Sequence, residues 1–234
     1  MPSPSTAAPP IIVFDLDGTL ADTAQDLIAT LNVVLEREKL APLPLAQARD
    51  LIGAGARPLI ERGFAASQTP LTDSRLQELY AFFLDYYHHH IAVHSVLFPG
   101  VQEALQRLLA EGFTLAVCTN KLEGHALELL KALGVIEVFS FIAGKDTFAM
   151  FKPDPRHLIQ TIARAGGDPT RAIMVGDSRT DIDTAKLAGI PVVGVSFGYT
   201  DIHVRDLGAD AVIDHFDDLD RAVHSLLKTA PLSR

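Results

Sequence analysis

Five short apolar runs, rich in β-branched residues, constrain what this chain can fold into more than any other feature. They occupy residues 11–14, 115–117, 139–142, 173–175 and 192–195. Runs of this length, interrupted by a polar residue only at Ser140, suit strands buried on both faces, as in a parallel sheet. Between them lie segments with apolar residues at three- and four-residue spacing: 101–110, 125–133, 155–165 and 182–188. These are followed by glycines placed to stop a helix (Gly112, Gly134, Gly166, Gly189). The alternation predicts right-handed βαβ crossovers and an α/β fold, a Rossmann-like parallel sheet with helices on both faces.

Residues 21–95 break this rhythm. No strand pattern is visible there, and 22–38, 57–66 and 74–91 read as amphipathic helices. A helical block at this point predicts a small all-α cap domain inserted after the first strand. The core domain then comprises 11–20 and 96–234, and residues 1–10, rich in Pro, Ser and Ala, form a disordered tail. Both junctions of the insertion follow the carboxyl end of the first strand, where open α/β sheets bind their ligands.

Charge and composition remove several function classes. Among 234 residues, 20 basic against 29 acidic side chains leave a net charge of −9. Such a surface repels phosphate backbones, and no basic patch interrupts it, so no nucleic acid is expected as a partner. A small anionic substrate stays possible, because a bound cation reverses the local field. No apolar run approaches the ~20 residues needed to span a bilayer. The first apolar run stops at Asp15 with no basic segment before it, so neither a membrane partner nor a signal peptide is expected. One cysteine, Cys118, rules out an intramolecular disulfide and a cysteine-cluster zinc site. The expectation is a cytoplasmic globular protein.

Chemistry concentrates where the apolar runs end. The first run exits into Asp15-Leu16-Asp17-Gly18-Thr19, delivering two carboxylates, with Gly18 free to turn sharply. Close carboxylates repel unless a cation sits between them. The second run ends in Cys118-Thr119-Asn120-Lys121. Lys152-Pro153-Asp154-Pro155 precedes a helix, and Gly176-Asp177-Ser178-Arg179-Thr180-Asp181 follows the fourth run. Each has a plain structural reading as well: Asp15 and Asp17 as a polar strand exit, Thr119 as a helix cap, Lys152 as a solvated loop charge, and Asp177 and Asp181 as a helix start feeding the dipole. Four such coincidences at strand carboxyl ends argue together for a site.

The set Asp15-x-Asp17-Gly18-Thr19, Thr119, Lys152-Pro153 and Gly176-Asp177-x-x-x-Asp181 resembles the four motifs of the haloacid dehalogenase superfamily of phosphotransferases. The resemblance covers nearly the whole chain. Within it, Thr119-Asn120-Lys121 and the late segments 197–199 and 207–213 are most similar to the branch acting on 2-phosphoglycolate. The resemblance implies a Mg²⁺-dependent phosphomonoester hydrolase that works through an aspartyl-phosphate on a small phosphorylated metabolite. Asp15 is then the nucleophile and Asp17 the general acid and base; Thr119 and Asn120 hold a phosphoryl oxygen, and Lys152 offsets its charge. The cation has hard oxygen ligands from Asp15, Asp17 (through its carbonyl) and Asp177, while Asp181 orients a metal-bound water or Lys152. A pyrophosphatase or broad-specificity sugar phosphatase is the alternative within the superfamily, and a non-catalytic phosphate-binding regulatory protein the alternative outside it. A monomer and a homodimer fit equally.

Three further features are read from the residues alone. His88-His89-His90 would point ~100° apart on a helix and cannot share one ion, so they read as a solvated face. Cys118 reads as a small buried residue. Arg57, after a turn containing Gly53 and Gly55, is either a solvated charge or the partner of a substrate carboxylate, with Lys121 next in line for that role.

Overall fold

Four consecutive apolar residues, Ile11–Phe14, form β1, and all four side chains are fully buried. A strand with no polar face needs neighbours on both edges and cover on both sides, and β1 has all four. The computed structural model describes residues 8–48, 51–53, 55–200 and 202–229. Residues 1–7 of the expected tail and Ala54 in the glycine turn before Arg57 lie outside the described residues.

Thr114–Cys118 (β4), Phe141–Ala143 (β5), Ala172–Gly176 (β6), Val192–Val195 (β7) and Ala211–Ile213 (β8) join β1 in one parallel sheet of order β5-β4-β1-β6-β7-β8. β1 pairs with β4 (Phe14 opposite Val117) and with β6 (Phe14 opposite Val175). The residues that follow these three strands therefore emerge side by side. Side chains alternate between two cores. Ile12 and Phe14 join the core that includes Val101–Ala110 (α5), Glu123–Ala132 (α6) and Leu219–Thr229 (α9). Ile11 and Val13 join the other, with Pro155–Arg164 (α7) and Arg179–Ala188 (α8). Helices thus cover both faces, as the strand–helix alternation predicts.

Among the described residues of 24–88 are four α-helices: Ala24–Arg37 (α1), Leu45–Ala48 (α2), Ala56–Ala66 (α3) and Asp73–His88 (α4). Leu31 and Leu35 of α1, Ile60 and Phe64 of α3, and Leu79 and Phe83 of α4 pack into the core shared with the first sheet face. Gly63 lets α3 approach α1, since a Cβ there would stand 2.9 Å from Leu31 Cδ1.

The absence of strands expected for 21–95 needs one correction. Ala21–Asp22 (β2) pairs antiparallel with Val96–Leu97 (β3), and this ribbon carries the chain into and out of the helical insertion. Two residues per strand leave no periodicity to read. The strand expected at 139–142 begins only at Phe141, because 136–138 form a 3₁₀ turn. No helix among the described residues is long and apolar enough to cross a membrane.

Asp26, buried on α1, ties the two crossings together. Its carboxylate accepts hydrogen bonds from the backbone N–H groups of His94 (3.0 Å) and Ser95 (2.9 Å) and from the Ser95 hydroxyl (2.7 Å). Asp26→Ala orphans these donors, at a cost of about 3 kcal/mol. In a chain of this size that lowers the melting temperature by roughly 6–12 °C, and a thermal melt unchanged within about 2 °C would show that the clamp carries no stability.

Candidate active site

Asp15 is the first residue past β1, and its N–H continues the ladder to the Val175 carbonyl at 2.9 Å. Its carboxylate therefore leaves the sheet at a fixed position, where Lys152 meets it with Nζ 2.8 Å from Oδ1. The same ammonium donates to Asp181 Oδ1 at 2.6 Å. Lys152 is 2% exposed. Burial alone would push its pKa down, but Asp15 and Asp181 outweigh that and hold it above the ordinary lysine value.

Asp181 earns its position from α8. Ser178 caps this helix, and Asp181 Oδ2 accepts from the Ser178 N–H (3.0 Å) and hydroxyl (2.6 Å), closing a capping box. With one oxygen on Ser178 and the other on Lys152, Asp181 is disposed to orient Lys152. Asp177 leaves β6 beside it; Oδ1 accepts from the Thr19 hydroxyl (2.9 Å) and Oδ2 from the Tyr199 N–H (2.7 Å). Two glycines make room for this carboxylate. At Gly18, φ is +84° and a Cβ would lie 2.4 Å from Asp177 Oδ2; at Gly198 a Cβ would lie 2.2 Å from Asp177 Cβ.

Asp15, Asp177 and Asp181 are all buried and offer oxygens within 4.8 Å of one another. Burial and the charge of Asp181 push the Asp15 carboxyl up to about 6, against the pull of Lys152. Burial, Asp181 and Asp15 hold Asp177 well above the ordinary carboxylate range. Three clustered carboxylates, of which only Asp15 and Asp181 meet an ammonium, fit a divalent cation with oxygen ligands. The expected ligands are the Asp15 and Asp177 carboxylates and the Asp17 backbone carbonyl. The structure groups the carboxylates of Asp15 and Asp177 with that of Asp181, while the Asp17 carboxylate turns elsewhere.

Asp17 faces Lys121, which donates to Oδ1 at 2.8 Å and Oδ2 at 3.0 Å; the Thr23 hydroxyl adds a bond of 2.7 Å to Oδ1. Lys121 Nζ also lies 4.6 Å from the Tyr87 ring centroid. Thr119 is anchored by its N–H on the Ala143 carbonyl (2.9 Å), and the Asn120 side-chain amide donates to the Lys152 carbonyl (3.0 Å), bracing the lysine's loop.

These groups open onto a cleft between the strand ends and the helical insertion. Asp15, Asp17, Thr119, Asn120 and Lys121 line one side; Leu27, Ile52, Leu59, Phe83 and Leu84 of the helical insertion line the other. Arg57 is not among the lining residues. It lies in the first turn of α3, half exposed, and pairs with Glu61 at 3.6 Å. His88 pairs with Glu128, and His89 and His90 bond backbone carbonyls one turn back, as a surface helix end does. The Cys118 thiol is pushed up to about 12, chiefly by burial, which suits an inert core residue. Tyr199, read from sequence only as part of a late motif, joins both parts of the site. Besides its N–H on Asp177, its hydroxyl donates to Asp22 (2.5 Å) and accepts from the Thr23 (2.7 Å) and Ala24 (3.0 Å) N–H groups.

The profile of the haloacid dehalogenase-like hydrolases matches residues 12–195. A phosphoglycolate phosphatase of Mesorhizobium japonicum is 55% identical, covering 90% of this chain and 92% of that protein. A phosphoglycolate phosphatase of Caulobacter vibrioides is 47% identical over 94% of this chain and 93% of its own length. A crystal structure described as a predicted phosphoglycolate phosphatase from Haemophilus somnus superposes with a TM-score of 0.84 at 31% identity, covering 93% of this chain and 99% of that one.

The carboxylate cluster has a measurable signature in thermal melts. An acid whose pKa is raised by folding contributes stability below its unfolded pKa and loses it as pH rises through the folded value. Asp177→Asn therefore melts a few degrees above the wild type at pH 7 without metal, and this advantage vanishes near pH 4, where the folded acid is already neutral. Millimolar Mg²⁺ raises the wild-type melting temperature and leaves the variant unmoved. An equal Mg²⁺ shift in both proteins would remove Asp177 from the metal site.

Proposed function

This chain belongs to the haloacid dehalogenase-like hydrolases, and on that premise we propose that it hydrolyses 2-phosphoglycolate to glycolate and phosphate through an aspartyl-phosphate on Asp15. It is a phosphatase acting on a small phosphorylated compound, as its relatives at 55% and 47% identity are named. They set aside the alternative of a non-catalytic binding protein. The observation that carries the mechanism is the position of Asp15, a carboxylate at a strand end facing a cleft, with Lys152 on one oxygen. The choice of phosphoglycolate over pyrophosphate or a sugar phosphate is supported by the names of those relatives.

In this reading the Asp15 carboxylate attacks phosphorus in line, and the bond from phosphorus to the glycolate oxygen breaks. Asp17 gives a proton to the departing oxygen. It then takes one from the water that hydrolyses the aspartyl-phosphate, restoring Asp15 and releasing phosphate. The bonds from Lys121 and Thr23 hold Asp17 at a fixed angle beside the nucleophile. Thr119 and the Asn120 backbone amide hold phosphoryl oxygens, and Lys152 balances the charge spread over them. Asp15, Asp177 and the Asp17 carbonyl would hold Mg²⁺, which when bound supplies the positive charge that lets an anionic carboxylate approach an anionic phosphate. Asp181 positions Lys152. The insertion of residues 21–95 acts as a cap whose apolar wall excludes bulk water from the cleft. The same proposal places the protein in the cytoplasm, as a monomer or homodimer.

Asp15→Asn keeps the fold and loses at least ~10²–10⁴-fold in turnover, because an amide cannot form the acyl phosphate. A folded variant retaining more than a few per cent of wild-type activity, judged on that same scale, would refute Asp15 as nucleophile. In a panel of phosphoglycolate, pyrophosphate and sugar phosphates with Mg²⁺, phosphoglycolate gives the highest kcat/KM and EDTA stops the reaction. A higher value for pyrophosphate would overturn the substrate assignment.

A further inference from the structure

A substrate as short as phosphoglycolate limits where its carboxylate can be met. One oxygen and one methylene separate phosphorus from the carboxyl carbon, so the partner must stand close to the strand ends that hold the phosphoryl group. Most cations near the cleft are already engaged. Lys152 spans Asp15 and Asp181, and Lys121 donates to both oxygens of Asp17. Arg57 pairs with Glu61 outside the lining. His125 lines the cleft, but burial first and then Lys121 and His88 hold its pKa below the ordinary histidine value, favouring the neutral ring.

Lys145 differs from all of these. It stands just past the carboxyl end of β5, and its N–H donates to the Lys121 carbonyl at 2.8 Å. The Thr119 N–H bonds the Ala143 carbonyl at 2.9 Å, so two backbone bonds lace segment 143–145 to segment 119–121. Lys145 is thereby fixed next to the residues proposed to hold the phosphoryl oxygens. Its side chain lines the cleft and is partly buried, and no acidic group among the described residues pairs with it. Nζ rests 4.4 Å from the centroid of the Phe151 ring instead. Burial and the nearby Arg57 both work against its charge. A half-buried ammonium beside another cation is electrostatically unfavourable in the empty protein, and an anion in the cleft relieves it.

We propose that Lys145 determines specificity by receiving the substrate's carboxylate, with Asp15, Thr119 and Lys152 engaging the phosphoryl end. The role rests on the phosphoglycolate reading. It moves discrimination from the helical insertion, where Arg57 stands, to a loop of the sheet domain. Arg57 adds to the positive potential there without being the contact. Because the carboxylate does not change during phosphoryl transfer, Lys145 binds ground state and transition state alike, so its loss acts through KM.

The test compares 2-phosphoglycolate with ethyl phosphate, which has nearly the same length and no carboxylate, in wild type, Lys145→Met and Lys145→Arg at fixed Mg²⁺. The ratio of the two kcat/KM values falls about ten- to a hundredfold in Lys145→Met, mainly through KM for phosphoglycolate. Lys145→Arg recovers most of it. An unchanged ratio, or equal losses on both substrates, overturns the assignment to Lys145 while leaving phosphoglycolate as substrate. A wild type with no preference for phosphoglycolate over ethyl phosphate overturns both.

Discussion

Lys152 lies between Asp15 and Asp181 with almost no exposure to water, and Asp177 completes a group that holds more negative charge than one ammonium can balance. Much of the local architecture exists to hold this arrangement together. The parallel register of β1 with β4 and β6 puts three strand exits side by side, and the α8 capping box orients Asp181 while it closes the helix end. Thr19 and the Tyr199 N–H each satisfy one oxygen of Asp177, and Gly18 and Gly198 leave the space it occupies. Buried carboxylates kept apart from water in this way are costly without a counter-ion, so the fold is built around a charge it does not itself supply.

The cleft divides its duties between two walls. The strand-end wall holds charge at fixed positions, with a second, partly buried ion pair, Lys121 with Asp17, beside the first. The wall from the helical insertion is mostly aliphatic and aromatic, Tyr80 and Tyr87 included. Fixed dipoles and charges act more strongly when water is kept out, which is what the apolar wall contributes. The two walls have different origins in the sequence, one in short motifs at strand ends and the other in helices whose inward faces are apolar.

The sheet was legible because buried parallel strands leave an unbroken apolar signature, and five of its six strands stand out that way. β8, three residues long and only partly buried, does not, and the two-residue ribbon β2–β3 leaves no period to detect. The core motif residues were legible because a strand exit is a fixed place: Asp15, Thr119 and Asp177 each follow the last residue of a buried strand, and Asp181 lies against Lys152. The far end of the cleft was not. Arg57 drew attention through its glycine-containing turn, yet helix α3 directs it to Glu61. Lys145 gave no signal, because its place depends on backbone bonds between two loops that lie far apart in the chain. Tyr199 was visible as a motif residue, but its double attachment was not.

That attachment sets where one such protein can be joined to another. The Tyr199 backbone holds Asp177 of the sheet domain, and its hydroxyl takes the Thr23 and Ala24 N–H groups at the first turn of α1. The boundary between the two parts of the molecule is therefore not the ribbon where the chain visibly crosses. Asp22, Thr23 and Ala24 belong, by their bonds, to the sheet domain. A chimera that borrows its helices from a relative keeps its metal-side geometry only if the seam falls after Ala24. On the return crossing, a borrowed α1 that carries Asp26 has to bring its own His94–Ser95 segment with it.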